Sequence, residues 1–279
     1  MLDRPTTLAD RAAQLVWPRL GSNMPPPVTV AEDAARFEAL LARCPVGGVV
    51  LFNGDARATP EALARLQEAA PFPLLVGSDV ERGVGQQIRG ATVFPHARAF
   101  AALGEEAEAA LEEAARITAR EALACGLHVT FAPVADVNRE RHNPIIATRA
   151  YGDDAATAAR LVRAYVRGCR AEGLLSVAKH FPGHGGTRED SHEALPVMPD
   201  DRATLEAADL PPFRAAIDEG AEGMMTAHVV FPALDPSGMP ATASRPILVE
   251  LLRDALGFEG VVVTDSLLMG AIRADEGGE

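Results

Sequence analysis

Short apolar runs, separated by long segments rich in alanine and charge, constrain the fold of this 279-residue chain most strongly. The runs are Gln14–Pro18, Gly48–Phe52, Leu74–Ser78, His128–Phe131, Leu175–Lys179, Gly223–Thr226 and Gly260–Thr264. Each has the length of a strand, and near-continuous apolar composition is typical of parallel strands that are buried on both faces. The sequence therefore predicts a buried parallel sheet.

The segments between the runs have the composition and periodicity of helices. They are Ala31–Arg43, Pro60–Ala69, Glu105–Cys125, Asp153–Glu172, Thr204–Glu219 and Ile247–Leu256. Thr59 is expected to be the N-cap of the second helix, with Pro60 at its first position. Regular alternation of strands and helices predicts the α/β class. Because no internal repeat or low-complexity linker interrupts it, we predict a single domain over residues 1–279.

Polar residues at the ends of the runs favour a (β/α)8 TIM-type barrel over a doubly wound open sheet. These residues are Asp79, Asp136, Lys179 with His180, His228 and Asp265. A barrel gathers its strand ends on one face around one pocket, whereas an open sheet binds mainly at its switch point. No G-x-G-x-x-G loop opens a helix here. With seven runs, we predict a barrel that is truncated before its eighth strand.

Composition and charge restrict the classes of partner. The net charge of −13 argues against nucleic acid or an anionic membrane. No apolar run approaches the ~20 residues of a membrane helix, and the N-terminus lacks a secretory pattern. We therefore expect a soluble, cytoplasmic protein, of unknown oligomeric state. Cys44, Cys125 and Cys169 are odd in number and far apart, which predicts free thiols.

The loop from Lys179 to His192, KHFPGHGGTREDSH, concentrates titratable side chains directly after an apolar run. Such loops commonly hold the chemistry of enzymes. Asp190 stands two residues before His192, so it can fix the imidazole for acid/base work; two solvated loop residues are the alternative. Lys179, His180 and His184 could contact sugar hydroxyls or an anion. Pro182 and Gly183 prevent a helical zinc pair of the two histidines.

Two aspartates at strand ends complete the set of candidates. Asp265 ends a β-branched run and suits a nucleophile or a metal ligand, or alternatively the N-cap of a helix from Ser266. Asp79, before Glu81-Arg82-Gly83, suits a binding carboxylate or an N-cap. Glycosidases usually employ two carboxylates. A histidine in place of the second carboxylate avoids like-charge repulsion beside an anionic nucleophile.

Several motifs together resemble the catalytic barrel of glycoside hydrolase family 3, and most closely its bacterial β-N-acetylhexosaminidase (NagZ-type) branch. The resemblance covers essentially the whole chain, and KHFPGHG followed by DSH is its most specific part. The other motifs occur in the order of the family: Gly47–Asn53, Asp79–Gly83, Ala132–Val137, Arg149–Gly152, Met225–His228, Pro232–Asp235 and Thr264–Met269.

The resemblance implies retaining hydrolysis of a terminal β-linked N-acetylglucosamine from small glycosides such as cell-wall muropeptide fragments. Asp265 would be the nucleophile, and His192, assisted by Asp190, the acid/base. The residues implied in binding the sugar are Asp79, Arg149, Lys179, His180, His228 and Met269. His184 would shape the turn. No metal and no organic cofactor are implied, and the only expected partner is a small carbohydrate.

The chain departs from the pattern of the family in three places. Arg82 replaces a glycine and Gln87 stands where the branch has an arginine, whose guanidinium offers a fixed fork of donors. This leaves β-glucosidase-type specificity open. The segment Val137–Ile146 is recognisable but not close. The sequence ends at Glu279, whereas the resemblance implies an eighth strand and, in larger members, an α/β sandwich beyond it.

Other functions stay open at this point. A phosphorylase of the same family would pass the glycosyl group to phosphate, which a neutral histidine tolerates better than a carboxylate does. A metal-dependent barrel hydrolase would use His180, His184, His192 and Asp265. A binding module without activity is the remaining alternative.

Overall fold

The computed structural model describes residues 4–189, 191 and 194–273. In it the chain divides into two compact units. The first contains the described residues up to Phe94 together with 116–131 and 171–174. The second contains 95–115, 132–170 and the described residues from Leu175 onward. The predicted single domain over residues 1–279 stays a prediction.

The first unit has a parallel sheet. Its strands are, in their order of pairing, β1 (Arg19–Leu20), β2 (Gly48–Leu51), β4 (Leu75–Ser78) and β6 (Val129–Thr130). Two further short strands, β3 (Gly54–Asp55) and β5 (Ile88–Arg89), pair with each other. Glycine in β2 and β4 leaves room for aromatic rings, because a Cβ at Gly48 would lie 2.5 Å from the ring of Trp17.

Three helices accompany this sheet: α1 (Leu8–Ala13), α2 (Val30–Leu41) and α3 (Thr59–Ala69). A capping box begins α2, in which the backbone N–H of Thr29 donates to the Glu32 carboxylate at 2.8 Å and the Thr29 hydroxyl accepts from the Glu32 N–H. Such reciprocal bonds satisfy two donors that the first turn of a helix leaves unpaired.

Two details of the first unit differ from the sequence predictions. The predicted strand Gln14–Pro18 is a turn, and β1 begins only at Arg19. Leu15 is 85% exposed, and Pro18 has no N–H for a sheet. Thr59 is not the N-cap of α3 but lies inside it; its hydroxyl accepts from the N–H of Asp55 instead.

The second unit holds three neighbouring parallel strands, β7 (Leu175–Phe181), β8 (Gly223–Thr226) and β9 (Val261–Thr264). Gly223 lies opposite Val177 on one side and opposite Val261 on the other. Since the strands are parallel, their carboxyl ends meet at one edge.

The helices of this unit include α4 (Ala97–Ala101), α6 (Ala155–Glu172), α7 (Arg202–Ala208), α8 (Leu210–Glu219), a helix with π-type hydrogen bonding (Pro246–Ala255) and α9 (Gly270–Arg273). Residues of α5 (Ala107–Ala124) belong to both units. The predicted helix Thr204–Glu219 is divided at Asp209, because two prolines occupy the first turn of α8.

Parallel strands alternating with helices confirm the predicted α/β fold of TIM type. The seven main strands of the two units correspond to the seven predicted runs, with the first displaced. The part of the chain that is described contains no further main strand after β9.

All three cysteines are free, as predicted. Burial raises the pKa of the Cys169 thiol, which makes it a core residue rather than a reactive one. No helix within the described ranges is both long and apolar enough to cross a membrane.

Candidate active site

Lys179 and His180 lie at an irregularity near the carboxyl end of β7. The register to β8 shifts between Ala178, which faces Met224, and Phe181, which faces Thr226. A bulge of this kind redirects side chains and is common beside active sites. On the other side of β7, the N–H of Lys179 donates to Pro133 O at 3.1 Å. The backbone around both residues is therefore held from two directions.

A buried carboxylate, Asp136, fixes the His180 ring. Asp136 is fully buried and accepts from three N–H groups: His180 Nδ1 at 2.7 Å, His184 N at 2.7 Å and His180 N at 3.2 Å. Burial raises the pKa of Asp136, but the two histidines outweigh this effect, so the pKa lies below its usual value. Asp136 is thus a carboxylate acceptor, and Nδ1 of His180 carries a proton.

His180 also faces Asp265, which directly follows β9. Its Nε2 lies 3.9 Å from Asp265 Oδ2. In retaining glycosidases the nucleophile and the acid/base are separated by about 5–5.5 Å, so that the glycosidic bond fits between them. His180 lies nearer than this. Its position suits a contact to the sugar or to the nucleophile, and it leaves the acid/base task to another group.

Asp265 has the properties of an ionised carboxylate at an accessible strand end. Its side chain is 27% exposed, and Oδ1 accepts from the Ser266 N–H at 2.7 Å. Burial raises the pKa of Asp265, but His180, the Ser266 N–H and Lys179 outweigh it and bring the pKa below its ordinary value. The alternative role as N-cap is not observed, since α9 begins only at Gly270.

His228 lies beyond β8 with both ring nitrogens engaged. Nδ1 is 2.7 Å from Thr242 Oγ1, and Nε2 is 3.1 Å from the carbonyl oxygen of Ser266. Burial lowers the pKa of His228, although Asp265 acts in the opposite direction. The structure therefore gives His228 a set of partners on the protein, whereas the sequence predicts a contact with the sugar.

The described part of the histidine-rich loop is tied to buried polar groups. His184 Nδ1 lies 2.7 Å from Thr187 Oγ1, and His184 Nε2 lies 2.9 Å from Ser191 Oγ. The Asn143 side-chain amide donates to the carbonyls of His184 and Thr187. His184 thus shapes the turn, as predicted. Asp190 and His192, the predicted acid/base pair, lie outside the described residues.

The other predicted sugar-binding residues occupy separate positions. Asp79 follows β4 in the first unit and is half-buried. Arg149 ends a short turn in the second unit, where its guanidinium donates to Ile145 O at 3.4 Å. Met269 is buried, and its N–H donates to Ser266 O. Gln87, in the first unit, accepts from the Asn23 side chain at 2.9 Å.

The described residues do not assemble a metal site. No group of three or more histidine, cysteine, aspartate or glutamate side chains in the described ranges has the geometry to hold a metal ion. Both nitrogens of His184 face hydroxyl groups, and Nδ1 of His180 faces Asp136. This arrangement opposes the use of the His180 and His184 pair as metal ligands.

Sequence reasoning missed two supporting groups. Asp136 is recognisable as a carboxylate after a strand, but nothing in the sequence pairs it with His180, 44 residues later. The second group is Arg139, whose guanidinium donates to Asp209 at 2.7 Å and to Asp200 at 2.6 Å. Burial raises the pKa of Asp209 to about 6 even beside this arginine.

Comparison with known proteins shows the family to which the chain belongs. The family described as "Glycosyl hydrolase family 3 N terminal domain" matches residues 7–278. A beta-hexosaminidase of Alkalilimnicola ehrlichii is 41% identical over 241 residues, which cover 83% of this chain and 68% of that protein.

Two solved structures share the fold over nearly the whole chain. A glycoside hydrolase family 3 beta-N-acetylglucosaminidase from Paenibacillus sp. has a TM-score of 0.88 at 39% identity, covering 97% of this chain and 51% of that one. A beta-glucoside phosphorylase, BglX, bound to 2FGlc, has a TM-score of 0.87 at 26% identity, covering 96% and 48%. The chain thus spans about two thirds of the hexosaminidase and about half of each structural neighbour. It belongs to glycosyl hydrolase family 3, a family of glycosidases, and corresponds to their N-terminal domain.

Proposed function

We propose that this chain is the catalytic part of a retaining β-N-acetylglucosaminidase. The observation that carries the proposal is Asp265: a partly exposed carboxylate at a strand end, with a depressed pKa and with His180 Nε2 at 3.9 Å. A nucleophilic carboxylate has to stay ionised while it is accessible to the anomeric carbon. The names of the hexosaminidase and glucosaminidase relatives support the choice of sugar.

The proposed reaction has two displacements at the anomeric carbon. In the first, Asp265 Oδ2 forms a bond to that carbon while the bond to the leaving oxygen breaks, and His192 gives its proton to the leaving oxygen. In the second, His192 takes a proton from water, and the resulting hydroxide displaces the aspartate. Asp190 would stabilise the His192 imidazolium that gives this proton in the first step and that forms again in the second.

Lys179 and His180 would hold the sugar beside Asp265. Asp136 fixes the His180 ring with Nδ1 protonated, so that Nε2 is the nitrogen that faces the nucleophile. Lys179 lowers the pKa of Asp265 through its charge and so favours the reactive ionised form. Asp79, Arg149 and Met269 are proposed as further contacts to the sugar.

The substrate is proposed to be a small glycoside with a terminal β-linked N-acetylglucosamine, such as a cell-wall fragment met in the cytoplasm during recycling. Gln87 in place of an arginine weakens the expected preference for the acetamido group. Rates with the p-nitrophenyl β-glycosides of N-acetylglucosamine and of glucose measure this preference directly. A larger kcat/KM for the glucoside would move the enzyme to the β-glucosidase type.

Stereochemistry and the Asp265→Asn variant test the reaction type. Proton NMR of the hydrolysis should show the β-anomer of N-acetylglucosamine first, followed by mutarotation. Asp265→Asn should lower kcat by at least about 10³-fold, as loss of a nucleophile usually does. Asp254→Asn, an exposed aspartate on the π-type helix, is the matched control and should retain wild-type turnover.

A phosphorylase is the second candidate, since one structural neighbour is named as a beta-glucoside phosphorylase. Adding inorganic phosphate to the same assay separates the two reactions. The hydrolase predicts free N-acetylglucosamine at an unchanged rate. Acceleration together with a sugar 1-phosphate product would establish the phosphorylase instead.

A further inference from the structure

A chain of hydrogen bonds connects β8 to the backbone beside Asp265. Thr226 Oγ1 lies 3.0 Å from Thr242 Oγ1, which lies 2.7 Å from His228 Nδ1. His228 Nε2 lies 3.1 Å from the carbonyl oxygen of Ser266, and the N–H of Ser266 donates to Asp265 Oδ1 at 2.7 Å. Two of these links meet at Ser266, whose carbonyl oxygen faces His228 and whose N–H, in the preceding peptide unit, faces the carboxylate.

The acceptors in this chain determine where its protons lie. A carbonyl oxygen can only accept, so Nε2 of His228 carries a proton. Burial lowers the pKa of His228, so the ring is neutral and Nδ1 is an acceptor. The Thr242 hydroxyl has two acceptors, His228 Nδ1 at 2.7 Å and the Ala227 carbonyl oxygen at 3.1 Å, and we assign its proton to the nearer, Nδ1. Thr226 then donates to Thr242. One tautomer of His228 is selected by its partners.

The position of these hydrogen bonds indicates which part of the backbone they hold in place. Asp265 and Ser266 follow β9 as irregular backbone, outside any helix or strand. By contrast, Thr226 and His228 are both buried. The bond from His228 to the Ser266 carbonyl therefore ties the backbone next to Asp265 to this buried region.

We propose that Thr242 and His228 are positioning residues for Asp265. Thr242 supports the tautomer of His228, and His228 holds the carbonyl of Ser266, the residue whose N–H orients the carboxylate. Neither residue needs to touch the sugar, because both nitrogens of His228 are already bonded. This inference rests on the proposed function in that Asp265 is taken as the nucleophile.

The test is the isosteric change Thr242→Val, which removes the hydroxyl and leaves its volume almost unchanged. In single-turnover hydrolysis of p-nitrophenyl N-acetyl-β-glucosaminide, the maximal rate should fall about tenfold, the value of one buried hydrogen bond. The half-saturating substrate concentration should stay within about twofold, since the sugar contacts persist. Thr242→Ser keeps the hydroxyl and should restore most of the rate.

Thr59→Val is the matched control. Thr59 is buried, its hydroxyl has one partner, the N–H of Asp55, and it lies in α3 of the first unit. It should lose stability without a specific loss in the maximal rate of the folded enzyme. Thermal unfolding of each variant shows whether a loss of rate reflects folding, and the serine variant provides a second reading if the valine variant does not fold.

Two results would overturn the inference: a wild-type maximal rate in Thr242→Val, or a rise in the half-saturating concentration alone. The latter would place His228 at the sugar. Failure of the proposed function is distinct, since it would appear as an inactive wild-type enzyme or as full turnover by Asp265→Asn.

Discussion

The ends of β7 and β9 face the same site but are built in opposite ways. Along β7, every residue from Ser176 to Phe181 is buried, and His180 is fixed by a carboxylate that is itself fully buried. Along β9, no residue from Val261 to Thr264 is fully buried, and Asp265 is held mainly through the Ser266 peptide. The side of the site that carries the proposed sugar-binding residues is therefore packed into the protein, whereas Asp265, the proposed nucleophile, is held by a few directed hydrogen bonds.

The contacts of His180 and Asp265 themselves differ for a physical reason. A group that contacts a sugar only has to keep its position, so burial and a paired carboxylate serve it well. A nucleophile has to stay accessible and ionised, and full burial would raise its pKa. Hydrogen bonds from the backbone and nearby positive charge preserve orientation and ionisation without enclosing Asp265.

Asp136→Asn should cause the largest loss on the packed side. It removes the charge that three N–H groups share and places an amide N–H₂ against donors, so the free energy of unfolding should fall by about 3 kcal/mol. Urea unfolding at pH 7 measures this loss. Equal stability of variant and wild type would show that the contacts of Asp136 with His180 and His184 contribute nothing to the stability of the fold.

The same variant gives a pH dependence with a defined sign. The pKa of Asp136 is lower in the folded state than its ordinary value, so its stabilisation is complete above the unfolded pKa of about 3.9. It is lost as the pH falls through the folded pKa. The difference in unfolding free energy between wild type and Asp136→Asn should therefore shrink below pH 4, relative to its value at pH 5. A gap that widens on acidification would contradict the depressed pKa.

Substitutions of two matched valines test the difference in burial between β7 and β9, and their expected effects are the smallest. Val177 on β7 and Val261 on β9 flank the same residue, Gly223, and are 3% and 65% exposed. Val177→Thr should destabilise by about 1–3 kcal/mol because it buries a hydroxyl. Val261→Thr should stay within about 0.5 kcal/mol, as surface changes do. Equal losses of unfolding free energy in the two variants, measured by urea unfolding, would contradict this difference in burial.

Local pattern predicted the strands well, because β-branched and apolar runs such as Gly260–Thr264 have few other stable placements. The local pattern failed where prolines decide at which residue a strand or a helix begins. Pro18 accepts a backbone hydrogen bond from Val50 but has no N–H to donate, and β1 begins at the next residue, Arg19. Two prolines divide the helix after Asp209. Strand-end position also identified Asp265 and His180 as neighbours, which the 3.9 Å separation confirms.

The supports of the site could not be predicted. Asp136 meets His180 through the register between the segment after β6 and β7, and Thr242 meets His228 through the return of a loop. Both pairings depend on where distant backbone segments pack, and no spacing in the sequence carries that information. For the same reason His228 looks like a sugar ligand in the sequence, although its ring bonds to protein groups on both sides.

Trapping the glycosyl-enzyme tests directly whether Asp265 is the nucleophile. Wild-type protein is incubated with a 5-fluoro-N-acetylglucosaminyl fluoride, which forms the covalent intermediate faster than water releases it, and the peptides are then sequenced by mass spectrometry. We expect one sugar per chain, attached to Asp265, and no label in Asp265→Asn. A label on another carboxylate, or inactivation without any covalent sugar, would contradict it.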